Sequence, residues 1–232
     1  MQATEQKPQT EIVYPETDGQ PMANNTTQAN VMTLLKDNLE AMFADRDDVF
    51  VAMDLFWYPV EGRPDIRTAP DVMVVLGRPK GRRGSYKQWE EGNIAPQVVF
   101  EVASPGNTLA DWGFKYAFYD RFGVQEYYIY DPDTGQWYGA LRKSELLEPI
   151  ETMEGWVSPL LGIRFERGQD DDPGVYDAEG NRFVRFEEVK AALRAAIARA
   201  EQERQRAERL AQRLRELGVE ENDEAGENRP QG

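Results

Sequence analysis

A single acidic residue interrupts an apolar run in the stretch VVFEVASPGNT, residues 98–108. Glu101 stands among valine, phenylalanine and alanine residues, a composition typical of a strand that is covered on both faces. An unpaired carboxylate is costly in such a strand unless it is neutralised, hydrogen-bonded or bound to a cation. The simpler interpretation is a strand with one wet face, from which Glu101 points into solvent. Taken alone, this strand favours the solvent-facing interpretation.

Two further charged residues extend the chemistry that Glu101 could perform. Asp71 opens the apolar segment PDVMVV, and Lys115 follows on the next predicted helix. Two neighbouring carboxylates repel each other, and a divalent cation bound between them removes the repulsion. A lysine beside the cation can orient a water molecule or stabilise charge on a phosphate. Taken singly, Asp71 also fits a strand start after Pro70, and Lys115 fits an exposed ion pair with Asp111.

The residue types that the sequence lacks narrow this chemistry. The 232 residues include no cysteine and no histidine. Disulfides, thiolate zinc sites, cysteine nucleophiles, the Ser-His-Asp triad and a histidine general base are therefore excluded. Catalysis must depend on carboxylates, lysine, tyrosine or an oxygen-ligated metal such as Mg²⁺ or Mn²⁺.

The charge distribution bears on nucleic-acid binding. A formal net charge of −15 argues against a general nucleic-acid binder, because phosphate contacts require lysine and arginine. Between positions 78 and 87, however, the sequence has five bases and no acid. These DNA-contact candidates are Arg78, Lys80, Arg82, Arg83 and Lys87. A solvated hairpin tip is an equally good interpretation of this basic loop.

The patterning predicts the elements that must position these residues. Val31, Leu35, Leu39 and Met42 recur at helical spacing. Segments 48–60, 69–79 and 98–103 are predicted strands, and 125–142 is predicted to be a hairpin around the turn DPDTG. Short strands are expected near LLEPIE and GIRFER.

The helix that carries Lys115 has clear end signals. Thr108 and Asp111 match the [ST]-x-x-[DE] capping box at its start, and Gly123 suits its end. We therefore interpret Asp111 as a cap. Asp54 has no nameable partner and is interpreted as structural. Glu40 falls opposite the apolar stripe of the first helix and is expected to be solvated.

Four segments follow from the composition. Residues 1–27 form an irregular lead-in, 28–186 a single α/β domain, 187–217 a long charged helix, and 218–232 a disordered acidic tail. The long helix carries a partial apolar stripe that suits a coiled coil or another partner helix, and a homo-oligomer such as a dimer is expected. The N-terminus lacks a signal peptide and no segment is long enough to cross a bilayer, so we expect a cytoplasmic protein without membrane contact.

Four linked motifs resemble a known family. They are PD at 70–71, E-x-x-S at 101–104 followed by PGNT, D-x-x-x-K-x-x-x-Y at 111–119, and GVQEYYIYDP at 123–132. Together they resemble the Uma2 family of restriction-endonuclease-like proteins, a branch of the PD-(D/E)xK nuclease superfamily. The resemblance covers roughly residues 12–187.

The resemblance implies a fold and a set of site residues. The fold would be an α/β restriction-endonuclease-like core, a mixed sheet flanked by helices, with the long C-terminal helix appended. Asp71 and Glu101 would be the metal-binding carboxylates. The lysine of the wider superfamily lies two residues after the second acid, where this chain has Ala103. In the Uma2 branch the lysine lies on the following helix, which gives Lys115. A first-helix glutamate near the metal would be Glu40, but its helical phase argues against that role.

The sequence therefore predicts a metal-dependent endonuclease that hydrolyses DNA phosphodiester bonds. Asp71, Glu101 and the backbone carbonyl of Val102 would bind Mg²⁺ or Mn²⁺, and Lys115 would position water or stabilise the transition state. The basic loop would contact the phosphate backbone without sequence preference. The alternative is a non-catalytic nuclease-fold module for binding or assembly that works through its C-terminal helix. A glycosidase built on two carboxylates lacks any positive sign.

Overall fold

A computed structural model gives the structure of residues 12–17, 19, 23 and 25–217. The predicted lead-in lies mostly outside these residues, and the predicted acidic tail lies wholly outside them. The chain divides into two compact units, the first ending at Phe183 and the second beginning at Val184. The first unit contains the sheets and two helices, and the second contains the long C-terminal helix.

The helices and strands follow one another in a mixed order. The helices are α1 (Thr26–Met42), α2 (Leu109–Arg121) and α3 (Phe186–Glu216). The strands are β1 (Val49–Met53), β2 (Trp57–Tyr58), β3 (Val72–Leu76), β4 (Tyr86–Lys87), β5 (Val98–Val102), β6 (Glu126–Asp131), β7 (Gln136–Lys143), β8 (Leu146–Pro149), β9 (Arg164–Phe165) and β10 (Val175–Tyr176). A short 3-10 helix, Gln88–Glu91, follows β4.

Among the described residues, six strands form the main sheet in the order β1-β3-β5-β6-β7-β8. Neighbouring strands are antiparallel except β5 and β6, which are parallel. Parallel neighbours need a crossover connection, and α2 provides it. The predicted α/β class, with a mixed sheet flanked by helices and a long C-terminal helix, is confirmed.

The helices α1 and α2 cover opposite faces of this sheet. The apolar stripe of α1 packs against the face that contains Val72 and Phe100. Buried aromatic residues of α2 pack against the face that contains Met73 and Val99. Because successive side chains of a strand point to opposite faces, β5 is buried at every position. Glu101, two residues after Val99, belongs to the face that α2 covers.

The start of α2 is fixed by its predicted capping box. The side chain of Thr108 accepts a hydrogen bond from the backbone N–H of Asp111, and the Asp111 carboxylate accepts one from the backbone N–H of Thr108. Both interactions satisfy donors that the first helical turn leaves unpaired. The prediction that Asp111 is a cap is confirmed. Phe122 ends the helix, and Gly123 follows with a left-handed backbone (φ 87°).

The segment 48–60 forms two strands, so the prediction of one continuous strand was wrong. β1 ends at Met53, and Asp54 adopts a left-handed backbone with φ 46°. The backbone N–H of Asp54 donates to the carbonyl oxygens of Pro70 (3.1 Å) and Asp71 (3.2 Å). The chain turns at this point, and β2 then pairs with β4 in a separate two-stranded sheet.

The structure also tests the predicted hairpin and the two short strands that were expected after it. The hairpin of β6 and β7 is confirmed. β8, from LLEPIE, pairs with β7 at the edge of the main sheet. β9, from GIRFER, instead pairs with β10 in a two-stranded sheet of its own. β4 and β10, each two residues long, were not predicted.

The C-terminal helix is confirmed within one residue of its predicted ends. α3 contains neither proline nor glycine over 31 residues, which suits a long helix. Along it, large apolar side chains remain exposed, among them Leu193, Leu210 and Leu214. None of the helices in the described part of the chain has the length and apolar character needed to cross a membrane.

Two glycines with left-handed backbones provide a test of the β6–β7 turn. A Cβ atom at Gly135 (φ 68°) would fall on the carbonyl group of Gly168, whereas a Cβ atom at Gly123 would meet nothing within 4 Å. We expect Gly135→Ala to lower the free energy of unfolding by about 3 kcal/mol, because backbone strain and a backbone clash add. Gly123→Ala should cost only about 1 kcal/mol, from the strain alone.

Urea denaturation of both variants measures the difference. Equal losses of stability in the two variants would contradict the close approach of the 168 backbone to the turn.

A candidate carboxylate–lysine active site

Glu101 lies at the centre of the candidate site and is fully buried, with 0% of its surface exposed. The interpretation of Glu101 as a solvent-facing residue was therefore wrong. Its Oε2 atom lies 2.6 Å from Nζ of Lys115, and its Oε1 atom accepts a hydrogen bond of 2.5 Å from the hydroxyl of Tyr119. Both donors come from one face of α2, one helical turn apart. The carboxylate is thus compensated by an ion pair and a neutral donor.

Burial shifts the pKa values of Glu101 and its two partners. Loss of solvation raises the pKa of Glu101 from 4.5 to about 7, Lys115 opposes the shift, and the charge of Asp71 adds to it. Burial alone would lower the pKa of Lys115, but the charges of Glu101 and Asp71 outweigh it and raise that pKa. Burial and the neighbouring carboxylate also raise the pKa of Tyr119, which keeps its proton available for Glu101.

Asp71 stands opposite Glu101 at the end of two paired strands. Val72 is aligned with Phe100 across β3 and β5, so the next position places Asp71 across from Glu101. The Oδ2 atom of Asp71 accepts a 2.7 Å hydrogen bond from the backbone N–H of Val102. The structure therefore brings Asp71, Glu101 and Lys115 together, and Val102 lies within the same cluster.

Gln28 is a member of this cluster that the sequence interpretation missed. Its side-chain amide lies 3.3 Å from Oδ2 of Asp71 and 3.4 Å from the carbonyl oxygen of Val102. It occupies the first turn of α1, where the side chain of Asn25 caps the helix by accepting from the backbone N–H of Gln28. Gln28 is 7% exposed and continues the apolar stripe of α1 towards its N-terminus. A polar residue on that stripe was the available signal.

Of the two acids that were interpreted as solvated or structural, Glu40 stays outside the cluster and Asp54 contacts it through its backbone. Glu40 is exposed and forms an ion pair with Lys36 at 2.7 Å on the outer surface of α1. Asp54 contributes its backbone N–H, which donates to the Asp71 carbonyl oxygen.

The basic loop is mostly engaged by the protein itself. Arg78 and Arg83 both pair with Glu91, and Lys87 pairs with Glu90. Among the described residues, Arg82 has no hydrogen bond or ion pair. Glu90 and Glu91, which follow the loop in sequence, neutralise much of its charge.

Part of the loop also lies far from the carboxylates. Lys80 donates to the carbonyl oxygens of Phe43 and Ala44, just after the end of α1, whereas Gln28 marks the other end of that helix. The two ends are roughly 20 Å apart along the helix axis. A DNA-contact role for the loop stays a prediction, and Arg82 is the member whose charge has no partner in the described part of the chain.

Comparison with known proteins shows the family to which this sequence belongs. The sequence profile of the Uma2 family, described as "Putative restriction endonuclease", matches residues 4–166. The match spans more than half of the chain. The chain belongs to the Uma2 family. The resemblance inferred from the four motifs is thereby confirmed.

One solved structure and one negative result complete the comparison. The chain is similar to the crystal structure of a putative nuclease belonging to DUF820 from Anabaena variabilis ATCC 29413. The two are 14% identical, the TM-score is 0.43, and the similarity covers 62% of this chain and 79% of that one. Among curated proteins, no sequence matches.

The donor set of this Uma2-family site suits a cation that retains water. Within the described residues, no three acidic side chains are grouped to hold a metal ion. The proposed ligands are two carboxylates and the Val102 carbonyl, and Mg²⁺ commonly binds through one or two carboxylates while keeping several waters. Each oxygen of Glu101 already accepts one hydrogen bond, from Lys115 or Tyr119, but a carboxylate offers about four lone-pair positions. These residues therefore fit a hydrated Mg²⁺ or Mn²⁺ ion.

The raised pKa of Glu101 predicts a pH-dependent stability. Between pH 4.5 and about 7 the folded protein keeps a proton on Glu101 that the unfolded chain has lost. Rising pH therefore destabilises the folded state across this window, by at most about 3 kcal/mol. We expect Glu101→Gln to lack this loss, so the melting temperature of the wild type should fall relative to the variant as pH rises.

Thermal denaturation of both proteins from pH 4.5 to 8 measures this change. Glu126, another buried carboxyl group with a raised pKa, is present in both and cancels in the comparison. A difference in melting temperature that stays constant with pH would show that Glu101 does not titrate in this window.

Proposed function

We propose that this protein is a Mg²⁺- or Mn²⁺-dependent nuclease that hydrolyses DNA phosphodiester bonds. The observation that carries the proposal is the convergence of Asp71, Glu101 and Lys115 in a member of the Uma2 family. The chain has no histidine, so this cluster supplies acidic and basic groups in place of the commonest general base.

The metal ligands would be Asp71, Glu101 and the carbonyl oxygen of Val102, with water completing the coordination. When bound, the ion would polarise the phosphate and lower the pKa of the attacking water. The backbone N–H of Val102 and the amide of Gln28 hold the Asp71 carboxylate in position. The hydroxyl of Tyr119 holds the Glu101 carboxylate in position by donating a hydrogen bond to it. We assign Gln28 and Tyr119 as positioning residues.

Lys115 is the catalytic group best placed to reach a substrate. Its side chain is 23% exposed, while that of Glu101 is fully buried beneath it. A substrate phosphate that approached from solvent would therefore meet the ammonium group first. Lys115 would hold the attacking water or neutralise charge that develops on the phosphate oxygens. The leaving oxygen would take its proton from water, because no histidine is available.

Contacts to the DNA backbone need positive charge outside this cluster. Arg82 is the strongest candidate in the basic loop, because its four neighbours in the candidate set already contact protein groups. A protein with a net charge of −15 should bind DNA weakly, and added salt should weaken the binding further.

A second function has support from one feature of the site. Lys115 already neutralises Glu101 within the protein alone, so the fold is compensated without a cation. This arrangement favours a non-catalytic module for binding or assembly that works through α3. In either function α3 is the candidate surface for a homo-oligomer. Metal binding separates the two, because only the nuclease requires it.

Plasmid cleavage tests the nuclease directly. We expect the wild type to nick supercoiled DNA at low salt with Mg²⁺ or Mn²⁺, and Glu101→Gln to be slower by more than about 100-fold, because a metal ligand is lost. The matched control is Glu126→Gln. Glu126 is equally buried, but it accepts from Tyr128 and the backbone N–H of Leu160, away from the cluster. This control should nick DNA like the wild type.

Titration calorimetry with Mn²⁺ on the same samples provides a readout that needs no DNA target. If the wild type binds no Mn²⁺ or Mg²⁺, the nuclease proposal fails and the assembly module is favoured. Metal binding by the wild type that persists unchanged in Glu101→Gln would also overturn the assignment of this site.

The role of Gln28 gives a separate prediction. Gln28→Ala removes the amide that bridges Asp71 and the Val102 carbonyl, so Mn²⁺ affinity should fall by about 10- to 100-fold. Glu40→Gln, a change on the exposed surface of the same helix, should leave the affinity unchanged. Calorimetry on both folded variants provides the comparison. Equal affinities in the two variants would show that Gln28 does not position the site.

A further inference from the structure

The exposed face of α3 carries a regular repeat that the nuclease function does not use. Ten residues follow one another at alternating spacings of three and four, as in the a and d positions of a coiled coil. They are Phe186, Val189, Leu193, Ala196, Ala200, Glu203, Ala207, Leu210, Leu214 and Leu217. Each of the large members is about half exposed or more, from 48% for Val189 to 72% for Leu217. We call these ten residues the seam.

The seam has the same order of sizes from either end. Large apolar residues occupy both ends, and alanines lie towards the middle. If a second copy of the helix lay alongside in the opposite direction, Leu193 would face Leu210 and Ala196 would face Ala207. Each layer would join residues of similar size except the central one, where Ala200 faces Glu203. Matched layers favour close packing of the two helices.

The charges beside the seam discriminate between the two possible orientations. The flanking e and g positions carry only basic or uncharged residues; the basic ones are Lys190, Arg199, Arg204, Arg206 and Arg213. In a parallel pair, Arg199 of one helix would face Arg204 of the other, and the two copies of Glu203 would meet in the seam. Both contacts repel, so the parallel arrangement is disfavoured.

An antiparallel pair separates Arg199 from Arg204 and gathers the two copies of Glu203 with Arg199 and Arg206 of both helices around the two-fold axis, where acids and bases alternate. In this arrangement, the d and g positions of both helices lie on one side of the interface. Glu203 of each copy would lie between Arg199 and Arg206 of the other copy. The single acid in the seam would thus be compensated by two arginines. Intrahelical ion pairs with Glu201 and Glu208 already compensate Arg204 on the other side.

We propose that α3 self-associates in an antiparallel two-stranded coiled coil, with Glu203 near its two-fold axis. The occupant of the exposed apolar face is then α3 of a second copy of this chain. The overlap extends over the whole helix, about 46 Å. The protein is therefore a dimer.

Cysteine crosslinking in the full-length chain tests the orientation. The sequence has no cysteine, so every disulfide must come from introduced residues. We expect a mixture of Leu193→Cys and Leu210→Cys proteins, incubated with oxidised glutathione, to give a linked species of twice the 26.5 kDa chain mass. Neither variant alone should yield it, because identical positions lie about 25 Å apart in the antiparallel pair.

The control uses positions on the opposite side of the helix. Ala198→Cys mixed with Gln205→Cys preserves the symmetric spacing but points away from the seam, and it should yield at least about tenfold less linked product. Light scattering on the unmodified chain should give twice the chain mass at micromolar concentration.

Three results would overturn the proposal. Linked product from each single variant alone would show a parallel pair. Equal product from the control mixture would show random collision. A monomeric mass, together with the absence of linked product in any mixture, would show that no second copy covers the seam.

Discussion

The structure depends on one buried charge. Glu101 sits at the end of a strand with no exposed surface, and a carboxylate in such a place must have partners. Lys115 and Tyr119 supply them from α2, so α2 must start at a defined residue and pack in one rotation on the sheet. The capping box at Thr108 and Asp111 fixes that start. Strand, turn and helix are therefore determined together by the need to compensate one group.

Glu126, a second buried glutamate, differs from Glu101 in the charge of its hydrogen-bond partners. Glu126 is equally inaccessible, but its oxygens accept from uncharged groups, namely the hydroxyls of Tyr128 and Ser158 and the backbone N–H of Leu160. Such a network holds a structure and offers no charge to a substrate. Glu101 instead pairs with an ammonium group that reaches the surface. This difference is the physical basis for proposing a chemical role for Glu101 and a structural role for Glu126.

Local patterns predicted most of the fold because local forces decide those parts. The apolar run 98–102, the capping box before α2 and the glycine-free α3 each specify their structure within a few residues. The break at Asp54 could not be predicted, because it depends on the carbonyl groups of residues 70 and 71, which lie just before β3. The same holds for Glu101, whose burial follows from the position of α2, and for Gln28, whose partners Asp71 and Val102 are far from it in the sequence. In the basic loop, no local pattern indicates that Glu91 binds two of its arginines.

The hydrogen bond between Asp71 and Val102 gives the sheet an unusual end. The Asp71 side chain takes the place that a backbone carbonyl would normally fill for the N–H of Val102. The last rung of the ladder between β3 and β5 is therefore made by a group of the candidate site itself. Displacement of that carboxylate would deprive the Val102 amide of its acceptor. Its proton is a built-in reporter, whose exchange rate in solution registers the state of the site without any label.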